Sequence, residues 1–260
     1  RELRLIDKIE FDQRLSRFLE TLAKLELSRG KLPNRFYDVK SGIMLDAASQ
    51  PGETGWSAVD IGRLMVWLKI IGEYYPEYQE YLDKVILRWQ FCQVIDDCGT
   101  LYRGLHNGQT WTVQQEGRLG YEGYAGAGYA LWGFNADSAR SMHADQYIQV
   151  DGIKLLYDAR DPRTTNLANP ITTPPYLLFG MEFGWREDAI PGRYAASHRK
   201  VLRQQAEAVY RVQEQRWQRS KIYTARGEHA WDHRVTTSGS DKLRFMGRAF
   251  ASAAGRRTRY

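Results

Sequence analysis

The sequence has no long hydrophobic run and very little cysteine. No segment reaches the roughly 18 consecutive apolar residues of a membrane-spanning helix, which excludes such a helix. The two cysteines, Cys92 and Cys98, are close enough in sequence to bridge in an oxidising compartment. We nevertheless expect two buried free thiols rather than a disulfide.

The motifs that mark nucleotide, metal and acyl-transfer sites are also missing. There is no P-loop and no GxSxG, and GAGYAL lies inside a predicted helix rather than after a strand. The five histidines have no spacing typical of metal ligands, and Asp96-Asp97 is not followed by the third acid that metal-dependent terpene chemistry needs. We therefore expect no cofactor and no metal.

Positive charge is concentrated near the end of the chain. Residues 193–260 carry 16 Lys and Arg against 5 Asp and Glu, whereas residues 1–192 carry 21 against 26. This uneven distribution is not that of a uniformly basic nucleic-acid-binding protein, so we expect no nucleic-acid partner. The late charges are interpreted as a solvated helix face and tail, with a polyanion site as the weaker alternative.

Aromatic residues, by contrast, are abundant: 9 Phe, 8 Trp and 16 Tyr in 260 residues. With 43% apolar and 26% charged residues, the composition is that of a folded protein. The length fits one large domain or two small ones, and we predict a single domain over 1–232 and a basic tail over 233–260. Because the chain begins at Arg1 without a basic-then-apolar leader, we take it to be processed or trimmed.

Hydrophobic periodicity predicts two alternating kinds of helix. Helices of the first kind are amphipathic and cover a core on one side. Helices of the second kind have apolar or small residues on every side and must be covered on every side. Outer helices around inner helices form an (α/α) toroid, so we predict a mainly α fold of this kind, with a generic helical bundle as the alternative. The predicted amphipathic helices are 11–28, 76–92 and 194–219, and the predicted inner helices are 55–74, 121–134 and 175–185. Glycines in 121–134 would let a second backbone approach closely.

The segments between these helices complete the predicted fold. Two strand-like runs flank Asn107-Gly108, a strong signal for a small β-hairpin. Residues 138–148 are predicted as one more helix. Residues 36–53 and 161–175 are rich in Gly, Pro, Ser, Thr, Asn and Asp and are predicted as loops, the first with one short strand.

Candidate acids lie beside aromatic residues at the starts of the predicted inner helices. Trp56, Asp60, Arg63 and Trp67 are spaced so that they share one stripe of a helix that is otherwise apolar. A buried charge needs a partner. Asp60 and Arg63 therefore either form a structural ion pair or belong to a site.

The strongest candidate is the segment WTVQQEGRLGYEGY, residues 111–124. Its carboxyls, Glu116 and Glu122, flank a Gly-rich turn with Arg118 between them. Sugar rings bind on aromatic faces, and glycosidic cleavage needs one carboxyl kept protonated and another kept ionised. The structural alternative for Glu122 is an acid stabilised by the dipole at a helix N-terminus. The aromatic residues of this segment are Trp111, Tyr121 and Tyr124.

Two further groups of acids are weaker candidates. Glu182 is a lone acid in a short apolar helix, near Tyr176 and Trp185, and should be either paired or functional. Asp38 and Asp46 lie in a predicted loop. A loop carboxylate that bonds its own backbone is the favoured interpretation of both, and a place in the site is the other.

Four motifs together resemble an uncharacterised bacterial α/α-toroid family that is distantly similar to glucoamylase-like toroids, which include endo-β-1,2-glucanases. The motifs are FYDVKSGIMLD, ETGWSAVDIGRLMVWL, QEGRLGYEGYAGAGYALWGF and TPPYLLFGMEFG, and the resemblance covers residues 10–232. It implies a toroid that acts on, or binds, a bacterial exopolysaccharide or periplasmic glucan through acids at the mouth of the ring. A complete ring needs more helices than 260 residues readily supply, and the segment after Asp232 lacks the expected aromatic helix, which leaves an incomplete ring open.

The expected function is that of a glycoside hydrolase-like protein, periplasmic or extracellular, with a polysaccharide or oligosaccharide as its partner. Glu122 or Glu116 would be the general acid, and Asp60 or Glu182 the base. The alternative is a non-catalytic carbohydrate-binding or scaffold protein of the same fold. The expected sugar platforms are Trp56, Trp111, Tyr121 and Trp185, with Arg63, Arg118, Tyr124 and Asp38 as further substrate contacts.

Overall fold

The computed structural model describes residues 5–116, 120–141, 145–159, 174–185 and 197–221. Over these residues the fold is mainly α with four β-hairpins, and no helix within them is long and apolar enough to cross a membrane. The predicted tail at 233–260 and most of the predicted loop at 161–175 lie outside the described residues. The helices are α1 (Lys8–Lys24), α2 (Ala58–Tyr74), α3 (Gln79–Leu87), α4 (Tyr121–Leu131), α5 (Asp137–Arg140), α6 (Pro174–Phe183) and α7 (Ser197–Ser220), with 3-10 turns at Pro76–Tyr78 and Phe91–Gln93.

Each hairpin is a separate two-stranded antiparallel sheet. The hairpin predicted around Asn107-Gly108 is confirmed, with His106 paired to Trp111 beside the turn and Tyr102 paired to Gln115 at the far end. The strands are β1 (Leu27–Ser28) with β2 (Leu32–Pro33), β3 (Phe36–Tyr37) with β4 (Met44–Leu45), β5 (Tyr102–His106) with β6 (Trp111–Gln115), and β7 (Asp145–Val150) with β8 (Ile153–Asp158).

The helix predicted at 138–148 is confirmed at 138–140 and is wrong at 145–148, which form a strand. Helix α5 ends at Arg140, and β7 begins at Asp145. The turn between β7 and β8 is Asp151-Gly152, and both residues have positive φ, 53° and 78°. Asp-Gly is a preferred sequence for a tight hairpin turn of this kind, which explains why a strand pair forms here.

Helix α1 is shorter at its end than predicted. It begins with the Asp7 carboxylate, which accepts a hydrogen bond from the Glu10 N–H at 2.8 Å, an N-cap. It ends at Lys24 because the following residues form β1, and Arg29-Gly30 turns the chain into β2 with φ of 51° and 66°. The guanidinium of Arg88 donates to carbonyls at the end of α1 and so ties it to the end of α3.

Helices α2 and α4 form the centre of the core, and their backbones are in close contact. A Cβ on Gly62 would lie 2.6 Å from the carbonyl oxygen of Ala125, and a Cβ on Gly128 would collide with the carbonyl oxygen of Gly62. The Tyr129 hydroxyl donates to the Ala58 carbonyl at 2.9 Å, and the Trp132 indole N–H to the Met65 carbonyl at 2.9 Å. The close approach predicted from the glycines of 121–134 is therefore confirmed.

The other helices surround this pair. Helices α1 and α3 pack on each other, α3 also contacts α2, and α4 contacts α5 and α6. Helix α7 packs on α6 and on β8. The buried Gln205 of α7 accepts from the Leu156 N–H at 2.7 Å and donates to the Leu156 carbonyl at 2.9 Å. A single side chain therefore satisfies both backbone groups of Leu156 in β8.

Candidate functional site

Three helices meet at a hydrogen bond between two of the predicted site residues. The phenol of Tyr124 on α4 donates to Oε2 of Glu182 on α6. Arg63 on α2 is close enough for its positive charge to lower the pKa of both groups. The structure thus brings Arg63, Tyr124 and Glu182 together, although they are far apart in sequence.

The environment of Glu182 favours its protonated form. Burial raises the pKa of this carboxyl, while the hydrogen bond from Tyr124 and the charge of Arg63 act in the opposite direction without reversing the shift. The second oxygen, Oε1, is buried, and no group in the described part of the chain hydrogen bonds to it. Burial and the carboxylate together raise the pKa of Tyr124, so this phenol stays protonated as a donor.

Two more predicted acids converge on Tyr129. Glu116 follows β6 directly, is fully buried, and donates its backbone N–H to the Leu101 carbonyl at 2.7 Å. Asp60 lies in the first turn of α2 and is exposed. Burial raises the pKa of Tyr129, and the negative charges of Glu116 and Asp60 raise it further, so both acids are within electrostatic reach of this phenol.

Glu122 lies in the first turn of α4 and is buried. The helix begins after Gly120, whose φ of 83° and close neighbours leave no room for a side chain, since a Cβ there would lie 2.9 Å from Pro175 Cγ. The start of α4 is therefore packed directly against the start of α6. The position of Glu122 in the first turn is the one that the helix-dipole interpretation requires.

Trp56 is not on the stripe predicted for α2. The helix begins at Ala58, and Trp56 precedes it, with backbone hydrogen bonds to and from Gly104 of β5 at 3.1 Å. Its ring is fully buried and leaves no room for a Cβ on Gly104, whose nearest approach would be 2.6 Å. The prediction of a sugar platform does not fit Trp56, because no face of its ring is exposed.

Trp111 is partly exposed, but protein groups pack around its ring. It stacks on Trp56 at 5.4 Å between centroids and on its cross-strand partner His106 at 4.9 Å. The guanidinium of Arg29 lies 5.2 Å from the ring centroid. Protein groups therefore cover much of the ring surface that was expected to bind sugar.

The remaining predicted aromatic contacts are also packed against the protein. Tyr121 is buried in the first turn of α4. Trp185 follows α6 with a left-handed φ of 60°, and its indole folds back over Gly180, where a Cβ would lie 2.5 Å from the ring. Trp185 is partly exposed and covers the end of its own helix.

The carboxylates of Asp38 and Asp46 accept hydrogen bonds from groups of their own loop, as the favoured interpretation predicts. Asp38 Oδ1 accepts from the Lys40 N–H at 3.1 Å and from the N–H and hydroxyl of Ser41, both at 2.7 Å. Asp46 Oδ1 accepts from the N–H groups of Ala48 and Gln50 at 2.8 and 2.9 Å. The hydrogen bonds to Ser41 are the main cause of the lowered pKa of Asp38. We interpret Asp38 as a residue that shapes its turn rather than as a substrate contact.

Other predictions concern Arg118, the metal and the cysteines. Arg118 lies outside the described residues. Within the described ranges, no group of three or more His, Cys, Asp or Glu could hold a metal ion. Cys92 and Cys98 are both free, but they are exposed rather than buried. Cys92 lies within the 3-10 turn at Phe91–Gln93, and Cys98 lies between this turn and β5.

Tyr129, which the structure places near two of the predicted acids, was not singled out from the sequence. The hydroxyl of Tyr129 donates a hydrogen bond to α2. Burial and the negative charges of Glu116 and Asp60 raise the pKa of this phenol. The sequence feature that could have identified it is a tyrosine within a helix of small residues, because the hydroxyl of a buried tyrosine needs a hydrogen-bond acceptor. Trp67 is on the solvent side of α2, on the same stripe as Asp60 and Arg63. Its place on that stripe was predicted from its spacing, but it was not among the predicted sugar platforms.

No curated protein and no solved structure matches this chain. Residues 1–235 match a family described as protein of unknown function (DUF3131). The match spans all the site residues discussed above and most of the chain. The protein therefore belongs to the DUF3131 family.

Proposed function

We propose that this protein is a glycoside hydrolase-like enzyme that cleaves a bacterial polysaccharide or β-glucan. The observation that carries the proposal is the state of Glu182: a carboxyl whose pKa is raised by burial and whose position is fixed by Tyr124. A carboxyl whose pKa is raised by burial is typical of sites that protonate a glycosidic oxygen. Asp60, three residues before Arg63 on α2, is the exposed second acid.

In this proposal Glu182 is the general acid and Asp60 the base. The roles differ from those expected from the sequence, where Glu182 was grouped with the bases, because a raised pKa keeps a proton available for the leaving oxygen. Asp60 is exposed in the first turn of α2, where solvent and substrate can reach it. Glu116 and Glu122 are buried and would set the electrostatic field around the site.

We propose that the helices belong to an (α/α) toroid. The support is the difference in burial between the two sets of helices: nine of the 11 residues of α4 and eight of the 17 residues of α2 are buried, whereas α1 buries only Leu15 and Leu19 of its 17. Helix α6 contacts α4, which would continue the inner layer. A toroid of this kind acting on a periplasmic glucan or exopolysaccharide would place the protein in the periplasm or outside the cell.

A non-catalytic carbohydrate-binding or scaffold protein is the second candidate. The observation that favours it is the packing of the predicted sugar platforms, since Trp56 and Tyr121 are buried and protein groups pack around Trp111. Such a protein would bind the polymer and release no product.

Release of reducing ends separates the two candidates. Wild-type protein is incubated with β-1,2-glucan and a panel of other β-glucans and exopolysaccharides, beside Glu182→Gln and Asp60→Asn. Loss of a general acid or base lowers the rate by about 10²–10⁴-fold. Glu207→Gln, on the exposed face of α7, is the matched control and should keep the wild-type rate. The absence of reducing ends from every polymer, with binding retained, would support the scaffold candidate and overturn the enzyme.

A further inference from the structure

One stripe of α2 is open to solvent, whereas the opposite side of the helix is buried. The residues of α2 that lie in the core are Ala58, Val59, Ile61, Gly62, Met65, Val66, Leu68 and Gly72. Two large aromatic residues on the opposite side are exposed, Trp67 at 47% and Tyr74 at 68%. Asp60, also exposed, lies on the same stripe, and Arg63 is partly exposed beside it. The stripe therefore joins the charged groups of the site to two open aromatic rings.

The spacing along this stripe is regular. Asp60, Trp67 and Tyr74 are each seven residues apart, which is close to two full turns of an α-helix. With a rise of 1.5 Å per residue, each interval is roughly 10 Å along the helix axis. That interval is about the length of a disaccharide, so an extended sugar chain along α2 could reach Trp67 and Tyr74 in succession.

Trp67 also differs from the other tryptophans of the core region. Trp56 stacks on Trp111, and Trp132 donates its N–H to the Met65 carbonyl with Lys69 nearby. In the described part of the chain, no other aromatic ring or cation packs on Trp67. An indole with an open apolar face and an N–H donor suits the C–H face and hydroxyls of a pyranose ring.

We propose that the stripe Asp60–Arg63–Trp67–Tyr74 is the base of an oligosaccharide-binding cleft, with Trp67 as the proximal and Tyr74 as the distal sugar platform. The inference rests on the proposed function, because it places the substrate chain relative to Asp60 and Glu182. It adds that the ligand is an extended chain and that recognition depends on chain length. An exposed aromatic pair that served a protein partner instead would not discriminate between saccharides.

The test uses linear β-glucooligosaccharides of graded length with the full-length protein. Binding is measured by calorimetry and cleavage by product analysis for wild type, Trp67→Ala and Tyr74→Ala. Trp67→Ala should weaken binding of all but the shortest oligosaccharides by about tenfold and raise KM with little change in kcat. Tyr74→Ala should affect only the longer members of the series. Trp67→Phe keeps an aromatic face and should restore most of the affinity.

A matched control is Trp217→Ala, because Trp217 is a similarly exposed tryptophan, at 37%, on a different helix. This variant should bind and cleave like wild type, and thermal unfolding of each variant checks that the fold is intact. If Trp67→Ala is folded and keeps wild-type affinity while Glu182→Gln is inactive, the cleft is wrong and the enzyme proposal stands. If wild type binds the series through Trp67 but cleaves none of it, the cleft stands and the enzyme proposal is wrong. If wild type neither binds nor cleaves any saccharide, both are overturned.

Discussion

The phenol of Tyr124 donates a hydrogen bond to the Glu182 carboxylate and joins α4 to α6. Tyr124 is only 1% exposed, so water competes little for this contact. The bond stabilises the ionised form of Glu182, yet burial outweighs it and the pKa of the carboxyl is raised. The contact thus holds Glu182 in position without cancelling the rise in its pKa.

The first prediction is that Tyr124→Phe raises the pKa of Glu182 further. The variant removes a hydrogen bond that lowers this pKa and leaves the burial that raises it. NMR titration of the labelled Glu182 carboxyl measures the shift without relying on activity. Tyr210→Phe, on the exposed face of α7, should leave the titration unchanged. A pKa that falls or stays constant in Tyr124→Phe would show that the hydrogen bond does not act on Glu182.

The second prediction concerns stability against pH. Because the pKa of Glu182 is higher in the folded than in the unfolded state, the folded state binds this proton more tightly. The contribution of Glu182 to stability is therefore lost as the pH rises from the ordinary Glu value through the raised one. Glu182→Gln should not show this loss, so its stability relative to wild type should improve as the pH rises through that interval. Urea unfolding at a series of pH values measures it.

Glu80 is a control because its pKa is shifted in the opposite direction to that of Glu182. The hydrogen bond from Lys84, and then its charge, lower the pKa of Glu80. Its contribution is present above the ordinary Glu pKa and is lost as the pH falls through the lowered value. Glu80→Gln should therefore lose stability relative to wild type as the pH rises, the reverse of Glu182→Gln. If the stability of both variants relative to wild type changed in the same direction with pH, the opposite pKa shifts of Glu80 and Glu182 would be contradicted.

The third prediction compares three glycines in or against α4. Gly128→Ala and Gly62→Ala each place a methyl group against a backbone carbonyl of the neighbouring helix, which cannot move without separating α2 from α4. Overpacking of this kind costs about 1–3 kcal/mol. Gly123 has no neighbour closer than 3.9 Å to an added Cβ, so Gly123→Ala should stabilise by up to about 1 kcal/mol through helix propensity. Urea unfolding should give opposite signs for the two classes, and a stable Gly128→Ala would refute the close contact.

The fourth prediction concerns the contact between α7 and β8. Gln205→Leu leaves both backbone groups of Leu156 without their partner, at a cost of about 1–3 kcal/mol. The Leu156 amide should then exchange with deuterium faster than in wild type. Gln204→Leu changes an exposed neighbour on the same helix and should alter stability by less than about 0.5 kcal/mol. Equal effects of the two substitutions would mean that the Gln205 hydrogen bonds do not matter.

The fold could be predicted from the sequence where the hydrophobic residues followed a single helical or strand period. The long helices and the Asn107-Gly108 hairpin follow directly from hydrophobic spacing and turn chemistry. The error at 138–148 arose because the turn at Asp151-Gly152 pairs residues 145–150 with 153–158 in a hairpin, which outweighs weak helical spacing. Helix ends were also missed, since a local turn such as Arg29-Gly30 decides where α1 can continue.

The candidate site was predictable only in part. The motifs identified Glu182 and Tyr124, but their hydrogen bond joins residues 58 positions apart and depends on how α4 packs on α6. Helical spacing assigned Trp56 to the α2 stripe, whereas Ser57 caps the helix and leaves Trp56 before its first turn. Whether an aromatic ring is open, as for Trp67, or packed, as for Trp111, depends on tertiary contacts that spacing does not encode.

The central claim is that Glu182 gives a proton to the leaving oxygen of a glycosidic bond. The most direct test compares kcat/KM of wild type and Glu182→Gln on a β-glucooligosaccharide and on the nitrophenyl glycoside of the same sugar. A nitrophenolate leaves without protonation, so the account predicts a loss of about 10²–10⁴-fold on the oligosaccharide and a much smaller loss on the nitrophenyl glycoside. Equal losses on both substrates, or a wild-type rate on the oligosaccharide, would contradict it.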